Sequence, residues 1–420
     1  MKYILASPQP FQQKQSGLTL IELLIAMFLG TLLILGATSM FIANKRVYKE
    51  VDFQGRLAEN ARFGMEMMIR DLRMAGFRGC AVNQDVENNL NVKISGKQDP
   101  RLLLSFVANS SSECASQGIT DDDCVQSNSI EGREAGANEW QPSGSEEPTD
   151  ITLDLKSDAF TVRFMEDTNT NLCKDMTATN EVVEADNQTS TVSIPAGLFI
   201  EGGVFAVADC EATNIFQLTD EAPGGAVPGK GPFQLQHNDS STLTPGNAVD
   251  SFSKIYTAGN ASCAASPVDI FVFRARRYFV ATDSTIVGED NVEIPALYRQ
   301  TFEINASNLA STTPEVFSER LIDGVENMQI LYGEDTNGDR VADAYKKADD
   351  DSIVWANVVS VKLAVLFANV EQDFSGPLDT KSDYKLLDAA DFDPTPGADD
   401  HRRRKIVEAT VSLRNRQLQL

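Results

Sequence analysis

A single acidic residue, Glu22, lies in an otherwise uncharged apolar run that begins directly after Gly17. The run extends from Leu18 to about Ala43 without a second charged side chain. A helix over this run would be about 39 Å long, enough to cross a bilayer core of about 30 Å with some tilt. A carboxylate in such a span costs up to about 3 kcal/mol, depending on its depth. We therefore expect a group outside this helix to compensate for Glu22.

Three interpretations of this segment compete. A plain transmembrane anchor has no use for Glu22. A secretory signal peptide, cleaved near the small residues 36–39, should have an uncharged apolar region of about 7–15 residues, and this run is longer and charged. The third interpretation follows from a resemblance to type IV pilins and pseudopilins. Those proteins carry a short basic leader that ends in glycine, followed by an apolar stretch with glutamate at its fifth position.

The N-terminus resembles that family residue by residue. Residues 1–17 contain Lys2 and Lys14 but no acid, and Glu22 is the fifth residue after Gly17. The resemblance implies that prepilin peptidase cleaves after Gly17 in the cytoplasm and methylates the new amine of Leu18. The family favours phenylalanine where this chain has Leu18. Residues 18–43 would then remain as the membrane anchor and pack in the core of a filament.

The same resemblance suggests a partner for Glu22. Cleavage creates an ammonium group on Leu18, and an unpaired charge buried among helices costs several kcal/mol, whereas a paired charge is tolerated. We expect Glu22 of one subunit to pair with the Leu18 amine of its neighbour and to set the axial register.

Two further stretches narrow the resemblance to PilW-type minor pilins. Residues 59–80 look like the second half of the first helix in those proteins, which ends in an Asp-Leu-Arg-Met-Ala-Gly stretch followed by a cysteine. Residues 321–333, the Trp-containing strand after them and the closing residues 411–415 resemble the end of the same proteins. About 81–315 matches no family pattern.

The predicted fold class is α+β, with one long N-terminal helix followed by a large, β-rich, mostly antiparallel domain. Apolar residues continue at helical spacing from 44 to about 75, and Gly76 and Gly79 supply a stop. We divide the chain into a leader (1–17), a membrane half of the helix (18–43), an amphipathic half (44–79) and a periplasmic domain (80–420). This domain has one or two lobes, and its predicted loops are 109–150, 219–250 and 370–400. Strands are predicted at 151–155, 159–165, 191–194, 198–208, 268–280, 295–304, 358–367 and 405–413, with an amphipathic stretch at 316–332.

Composition argues against several function classes. The formal net charge of −25 makes nucleic acid an unlikely partner and does not favour anionic lipid as a general one. The two histidines, His237 and His401, are far apart and are expected on the surface, so a catalytic triad or His-rich metal site is not indicated. We predict that the chain is not an enzyme.

Six cysteines follow the anchor and would meet an oxidising periplasm. Up to three disulfides in fifteen connectivities are allowed, with Cys114–Cys124 the easiest local pair, and free buried thiols are the alternative. The six are Cys80, Cys114, Cys124, Cys173, Cys210 and Cys263.

An Asp-rich segment near the C-terminus alternates oxygen-bearing residues as a calcium loop does. Its candidate ligands are Asp335, Asn337, Asp339, the backbone carbonyl of Val341, and Asp343. Arg340 and Lys346 replace the glycine and glutamate of an EF-hand, which excludes that motif. Calcium is thus a possible cofactor, and the alternative is an Asn-Gly hairpin turn with solvated acids.

One basic run, 402–405, precedes the last predicted strand. Three alternative roles are open to this run: protection of a sheet edge, docking to an acidic neighbouring subunit, or contact with DNA. The sequence as a whole predicts a minor pilin of the inner membrane, with a cytoplasmic leader and a periplasmic domain, that primes type IV pilus assembly and sits at or near the tip. Expected partners are other minor and major pilins, prepilin peptidase and the inner-membrane assembly platform. A minor pseudopilin of a type II secretion system and a membrane-anchored adhesin are the alternatives.

Overall fold

The fold comes from a computed structural model of the chain. It describes residues 19–80, 85–90, 129–137, 139–141, 148, 151–185, 199–220, 233–239, 243–259, 263–288, 292–303, 314–372, 378–381, 383–387, 392, 394 and 400–415. Within these residues the chain forms one long α-helix and fifteen β-strands. The chain divides into two compact units, Met1–Gln54 and Gly55–Leu420. The predicted α+β class is confirmed, whereas the boundaries proposed for the leader, the helix halves and the lobes stay predictions.

The helix α1 spans Leu20–Met74 without interruption. No proline occurs in it, and Gly76, with φ of 75°, ends it in the left-handed conformation that glycine adopts most easily. Asn415, close to the end of the chain, donates from Nδ2 to the carbonyl oxygens of Arg73 (3.1 Å) and Met74 (3.3 Å). The last turn of the helix therefore receives a donor from a residue more than 300 positions away.

The fifteen strands are mostly short, and three of them exceed ten residues. They are β1 Asp85–Asn88, β2 Ile130–Arg133, β3 Thr152–Leu153, β4 Ala159–Asn171, β5 Val183–Ala185, β6 Val204–Ala208, β7 Ala212–Gln217, β8 Phe233–Leu235, β9 Asp269–Thr282, β10 Ala296–Glu303, β11 Glu315–Asp323, β12 Val325–Glu334, β13 Ala344–Lys346, β14 Val358–Ala368 and β15 Arg404–Ser412.

The larger sheet is organised around β9. Its neighbours are β3 and β4, and also β6 and β10, and the path from β1 to β11 runs β1-β7-β6-β9-β10-β11. All described pairs are antiparallel except β1 with β7. The smaller sheet has the order β13-β12-β14-β15, and β5 pairs with β8. The mostly antiparallel prediction is confirmed.

The main core forms where the second half of α1 packs on both sheets. Met65, Met68 and Leu72 of the helix are buried in one cluster with Phe160 of β4 and Val361 of β14. Their spacing of three and four residues places them on one face of the helix, as the predicted apolar stripe required.

Four of the predicted strands, now β9, β10, β14 and β15, are confirmed within two residues at each end. The strand predicted at 159–165 begins as predicted but continues to Asn171 as β4, and the strand predicted at 151–155 is the two-residue β3. Several predictions need correction. The loop predicted at 109–150 contains β2. Residues 198–208 hold a strand only from Val204, and the next strand, β7, was not predicted. The loop predicted at 219–250 contains β8. The amphipathic stretch 316–332 is two strands, β11 and β12, which belong to different sheets and meet at Gly324. The strand predicted at 191–194 lies outside the described residues.

Candidate functional site

The N-terminus of α1 holds Glu22 through three reciprocal hydrogen bonds with Thr19. Thr19 donates from its backbone N–H and its hydroxyl to Oε2 of Glu22, at 3.0 and 2.9 Å. The backbone N–H of Glu22 in turn donates to the Thr19 hydroxyl oxygen at 3.4 Å. This arrangement is a capping box, which satisfies N–H groups that no helical carbonyl reaches. The Thr-x-x-Glu spacing could have indicated it from sequence, and our sequence reasoning did not use that signal.

The side chains around Glu22 make the first half of α1 an apolar surface. In the isolated chain, the large apolar side chains along the helix from Leu20 to Val51 are exposed to solvent. Of the described part of the chain, α1 is the one helix long and apolar enough to cross a membrane by length and composition. Gly17 and Leu18, the predicted cleavage and methylation positions, lie outside the described residues. Their roles stay predictions, as does the pairing of Glu22 with a neighbour's amine.

Further along α1, Asp71 attaches the helix to the larger sheet. Its side chain is 2 % exposed and accepts hydrogen bonds from Nη1 of Arg276, at 3.0 and 2.9 Å, and from the Tyr278 hydroxyl, at 2.6 Å. Both donors are on β9, at alternate positions that point to the same face. The bonds to a buried carboxylate orient the helix on the sheet in a way that apolar packing alone does not.

Four of the six cysteines form two disulfides. Cys80 pairs with Cys210, in the turn between β6 and β7, and Cys173 pairs with Cys263. The bridges close separations of 130 and 90 residues, so both join distant parts of the chain. Cys114 and Cys124, the local pair that the sequence favoured, lie outside the described residues. Disulfides of this kind are typical of exported proteins.

The Asp-rich segment forms the turn between β12 and β13. Both carboxylate oxygens of Asp335 accept backbone N–H groups, from Gly338 and Arg340 at 2.7 Å and from Asn337 at 3.1 Å. The amide of Asn337 donates to Asp339 at 3.3 Å and to Asp343 at 2.9 Å. Desolvation raises the pKa of Asp335, but these N–H donors outweigh it, and the pKa lies below its usual value.

These bonds bear on whether calcium fits the turn. The structure brings together the side chains of four predicted ligands: Asp335, Asn337, Asp339 and Asp343. The fifth predicted ligand was the backbone carbonyl of Val341, whose side chain is exposed. Each of the four already donates or accepts within the turn, and among the described residues no group of three or more Asp, Glu, His or Cys side chains is arranged to hold a metal ion. The geometry fits the alternative of a hydrogen-bonded turn, and calcium binding is left to a thermal-unfolding test with and without chelator.

The basic run at 402–405 includes one arginine that is buried. The side chain of Arg404 is 2 % exposed and donates to Glu326 at 2.6 and 2.8 Å, to Asp379 at 2.5 Å and to Asp400 at 2.7 Å. Its carboxylate partners raise its pKa despite its burial, which opposes them. Arg404 thus joins the predicted loop 370–400 to β12 and to the start of β15, and it is not part of a surface for DNA or an acidic partner.

His237 corrects our expectation that both histidines lie on the surface. Its ring is 3 % exposed and stacks on Phe252 with ring centres 3.9 Å apart, while Nε2 lies 2.9 Å from the carbonyl oxygen of Glu181. Burial lowers the pKa of His237, so the ring is neutral at physiological pH. The ring is part of an aromatic cluster, with Phe216 also in contact.

Comparisons with known proteins agree with two parts of this geometry. The family model for type IV pilus-assembly protein W matches residues 277–415, about a third of the chain, which include β10 to β15. The model for the prokaryotic N-terminal methylation motif matches residues 12–38, which include Gly17 and Glu22. The match at 277–315 corrects our statement that 81–315 has no family pattern. No curated protein and no solved structure matches the chain.

The two matches agree with the resemblances seen at both ends of the sequence. The N-terminal match and the long apolar helix indicate a membrane-anchored, prepilin-type protein. The C-terminal match adds a pilus-related role, and neither model describes an enzyme family. The chain thus combines an N-terminal match to the prokaryotic methylation motif with a match, over residues 277–415, to the family model for type IV pilus-assembly protein W.

Proposed function

We propose that this chain is a minor pilin that primes or initiates assembly of a type IV pilus and sits at or near the filament tip. The observation that carries the proposal is the position of Glu22, five residues after Gly17 in an apolar helix, within a matched methylation motif. An anchor that only tethers a domain has no need for this carboxylate. The match to type IV pilus-assembly protein W favours a pilus over a type II secretion system.

Glu22 acts in two stages in this proposal. In the single subunit its carboxylate is held by Thr19 in the capping box. On assembly it pairs with the ammonium group of Leu18 of a neighbouring subunit, which is a stronger, charge-assisted interaction in an apolar surrounding. The two stages are compatible because a carboxylate has two oxygens and accepts several donors, and here Oε2 alone takes the bonds from Thr19.

Localisation follows from the same segment. Prepilin peptidase cleaves after Gly17 on the cytoplasmic side and methylates Leu18, and the domain after the anchor lies in the periplasm. The Cys80–Cys210 and Cys173–Cys263 disulfides support an oxidising compartment. Partners are the other minor and major pilins and the inner-membrane assembly platform.

The tip position rests on size. The second unit spans 55–420, and a domain this large fits poorly at every position along a thin filament. A subunit present once, at the end that leaves the membrane first, avoids that crowding. A bulky tip domain also suits a subunit that begins assembly rather than one that repeats along the shaft.

The test is deletion of the gene followed by imaging of surface pili, with complementation by the native chain, Glu22→Ala or Glu59→Ala. Glu59 is an exposed acid on the same helix and serves as the matched control. We expect native and Glu59→Ala to restore pili, and Glu22→Ala to be cleaved normally but to leave cells without pili. Assembly of normal pili with Glu22→Ala would contradict the proposal.

The same strains separate the rival functions. Normal pili in the deletion strain, with loss of a secreted enzyme from the medium, would indicate a pseudopilin of a type II secretion system. Normal pili and normal secretion with loss of attachment would indicate a membrane-anchored adhesin.

A further inference from the structure

The part of α1 that packs on the sheets leaves one face in solvent. Arg62, Phe63, Glu66, Arg70 and Arg73 are exposed and recur at spacings of one, three or four residues, which places them along one side of the helix. We call this face the helix ridge. Phe63, near the N-terminal end of the ridge, is 56 % exposed.

The ridge is positively charged at one end. Arg62 and Glu66 lie 3.1 Å apart and compensate each other. Arg70 comes within 3.6 Å of Asp71, whose carboxylate already binds Arg276. Arg70 and Arg73 therefore leave an excess of positive charge on a chain whose formal net charge is −25.

The helix terminus accounts for only part of this pattern. Cations near the last carbonyl groups of a helix are favourable, which suits Arg70 and Arg73. The exposed ring of Phe63, about two to three turns before these arginines, gains nothing from that end of the helix. Arginine and aromatic residues are the types most enriched at the centres of protein interfaces, because both offer a large contact area.

We propose that the helix ridge binds an acidic surface of a neighbouring pilin subunit, with Phe63 in an apolar recess and Arg70 and Arg73 on carboxylates. That the neighbour is a pilin rests on the proposed function. Charge favours a protein over a lipid surface: the negative chain is repelled by an anionic membrane, and Glu66 in the middle of the ridge faces the same repulsion. A folded partner accommodates both signs of charge at fixed positions.

The proposal is tested in the full chain, in cells that make pili. A photo-reactive phenylalanine analogue at position 63 reports which molecule contacts the ridge. The double variant Arg70→Glu and Arg73→Glu should lower the yield of the protein cross-link about tenfold or more, since interface anchors typically change affinity by at least about fivefold each. The matched control, Lys381→Glu with Lys385→Glu, makes the same change in net charge on exposed lysines elsewhere and should leave the yield unchanged.

The position of the adduct gives a second readout. We expect the cross-linked peptide of the partner to be acidic, and reversal of its carboxylates to lysine to restore the yield with the Arg70→Glu and Arg73→Glu variant. This rescue separates loss of an interface from misfolding, because a misfolded subunit is not repaired by a change in its partner.

Several outcomes would overturn the inference. These are a cross-link yield that is insensitive to the charge reversal, an adduct to lipid, and vesicle binding by the purified chain that needs anionic lipid together with Arg70 and Arg73. The proposed function fails separately, through normal pili in the deletion strain. In that case a charge-dependent cross-link to an acidic protein would still support the proposal that the helix ridge binds an acidic partner.

Discussion

At the scale of single residues, burial decides what a charged side chain does in this protein. Asp71 and Glu66 are both acids on the same helix, but Asp71 is 2 % exposed and Glu66 is 65 % exposed. The buried acid attaches α1 to β9 through Arg276 and Tyr278. The exposed acid makes only a surface pair with Arg62, and such pairs contribute little to stability.

The contrast leads to a prediction with a matched pair of variants. Asp71→Asn should lower the free energy of unfolding by about 3 kcal/mol, because it leaves the guanidinium of Arg276 partly buried without its counter-charge. Glu66→Gln should change the free energy of unfolding by less than about 0.5 kcal/mol. Denaturant unfolding of both variants provides the measurement. Equal losses of unfolding free energy in Asp71→Asn and Glu66→Gln would show that Asp71 does not anchor the helix.

A second prediction concerns the turn after β12. Asp335→Ala removes the acceptor of three backbone N–H groups, so we expect a lower Tm. Because the turn is held by its own bonds, a chelator should leave the Tm of the native protein unchanged. Thermal unfolding with and without chelator, and with added calcium, provides the test. A chelator-induced drop in Tm that disappears in Asp335→Ala would instead establish the calcium site.

At the scale of elements, one glycine carries the chain from one sheet to the other. Gly324 separates β11, an edge of the larger sheet, from β12 in the smaller sheet. Its φ is 77°, its N–H donates to the Pro295 carbonyl, and its carbonyl accepts from Ala368. A Cβ at this position would clash with the Ala368 carbonyl oxygen. The corner therefore requires glycine for both conformation and space.

Gly324→Ala should cost at least about 2 kcal/mol of unfolding free energy, which combines backbone strain with the clash. Gly338, in the turn between β12 and β13, is the control. It has a φ of 83°, but nothing lies within 4 Å of its ideal Cβ, so Gly338→Ala should cost only about 1 kcal/mol. Chemical unfolding of the two variants compares these costs. A Gly324→Ala loss no larger than that of Gly338→Ala would mean that the corner adapts.

At the scale of the whole domain, a buried carboxylate joins the two sheets. Asp158 accepts the N–H of Ala135 from the side of the larger sheet and the N–H of Ile330 of β12, both at 2.8 Å. Burial and the charge of Glu134 raise its pKa well above the usual value, against the effect of these two donors. Lys347 lies against the same pair and binds Glu134 at 2.5 Å.

The raised pKa sets the sign of a pH effect. The folded protein binds the Asp158 proton more tightly than the unfolded chain, so ionisation at high pH costs stability, and that cost is relieved as the pH falls through the folded pKa. Relative to Asp158→Asn, the native protein should therefore gain unfolding free energy as the pH falls from the alkaline side towards about 4, the usual pKa of an aspartate. Denaturant unfolding of both proteins across this range measures the difference. A constant difference, or one of opposite sign, would contradict the raised pKa.

Much of this fold was predictable because its signals are local. The helix followed from the apolar run, the stripe and the absence of proline over 18–79, and β9 and β14 followed from β-branched and aromatic runs. The division of 316–332 was missed because nothing in its composition shows that Gly324 sends the chain to a second sheet. His237 was misplaced because its burial depends on Phe216 and Phe252, which belong to other segments.

By itself, the sequence determined the long helix, the single acid near its start and the mostly antiparallel domain after it, since these depend on residues a few positions apart. The tertiary structure decided what the charged and sulfur-bearing side chains meet. Arg276 reaches Asp71 across 205 positions, and the described disulfides close separations of 130 and 90 residues. Such contacts depend on how the sheets and helix pack, because a buried charge is tolerated only where it finds a partner and a disulfide forms only where two thiols meet in the final arrangement.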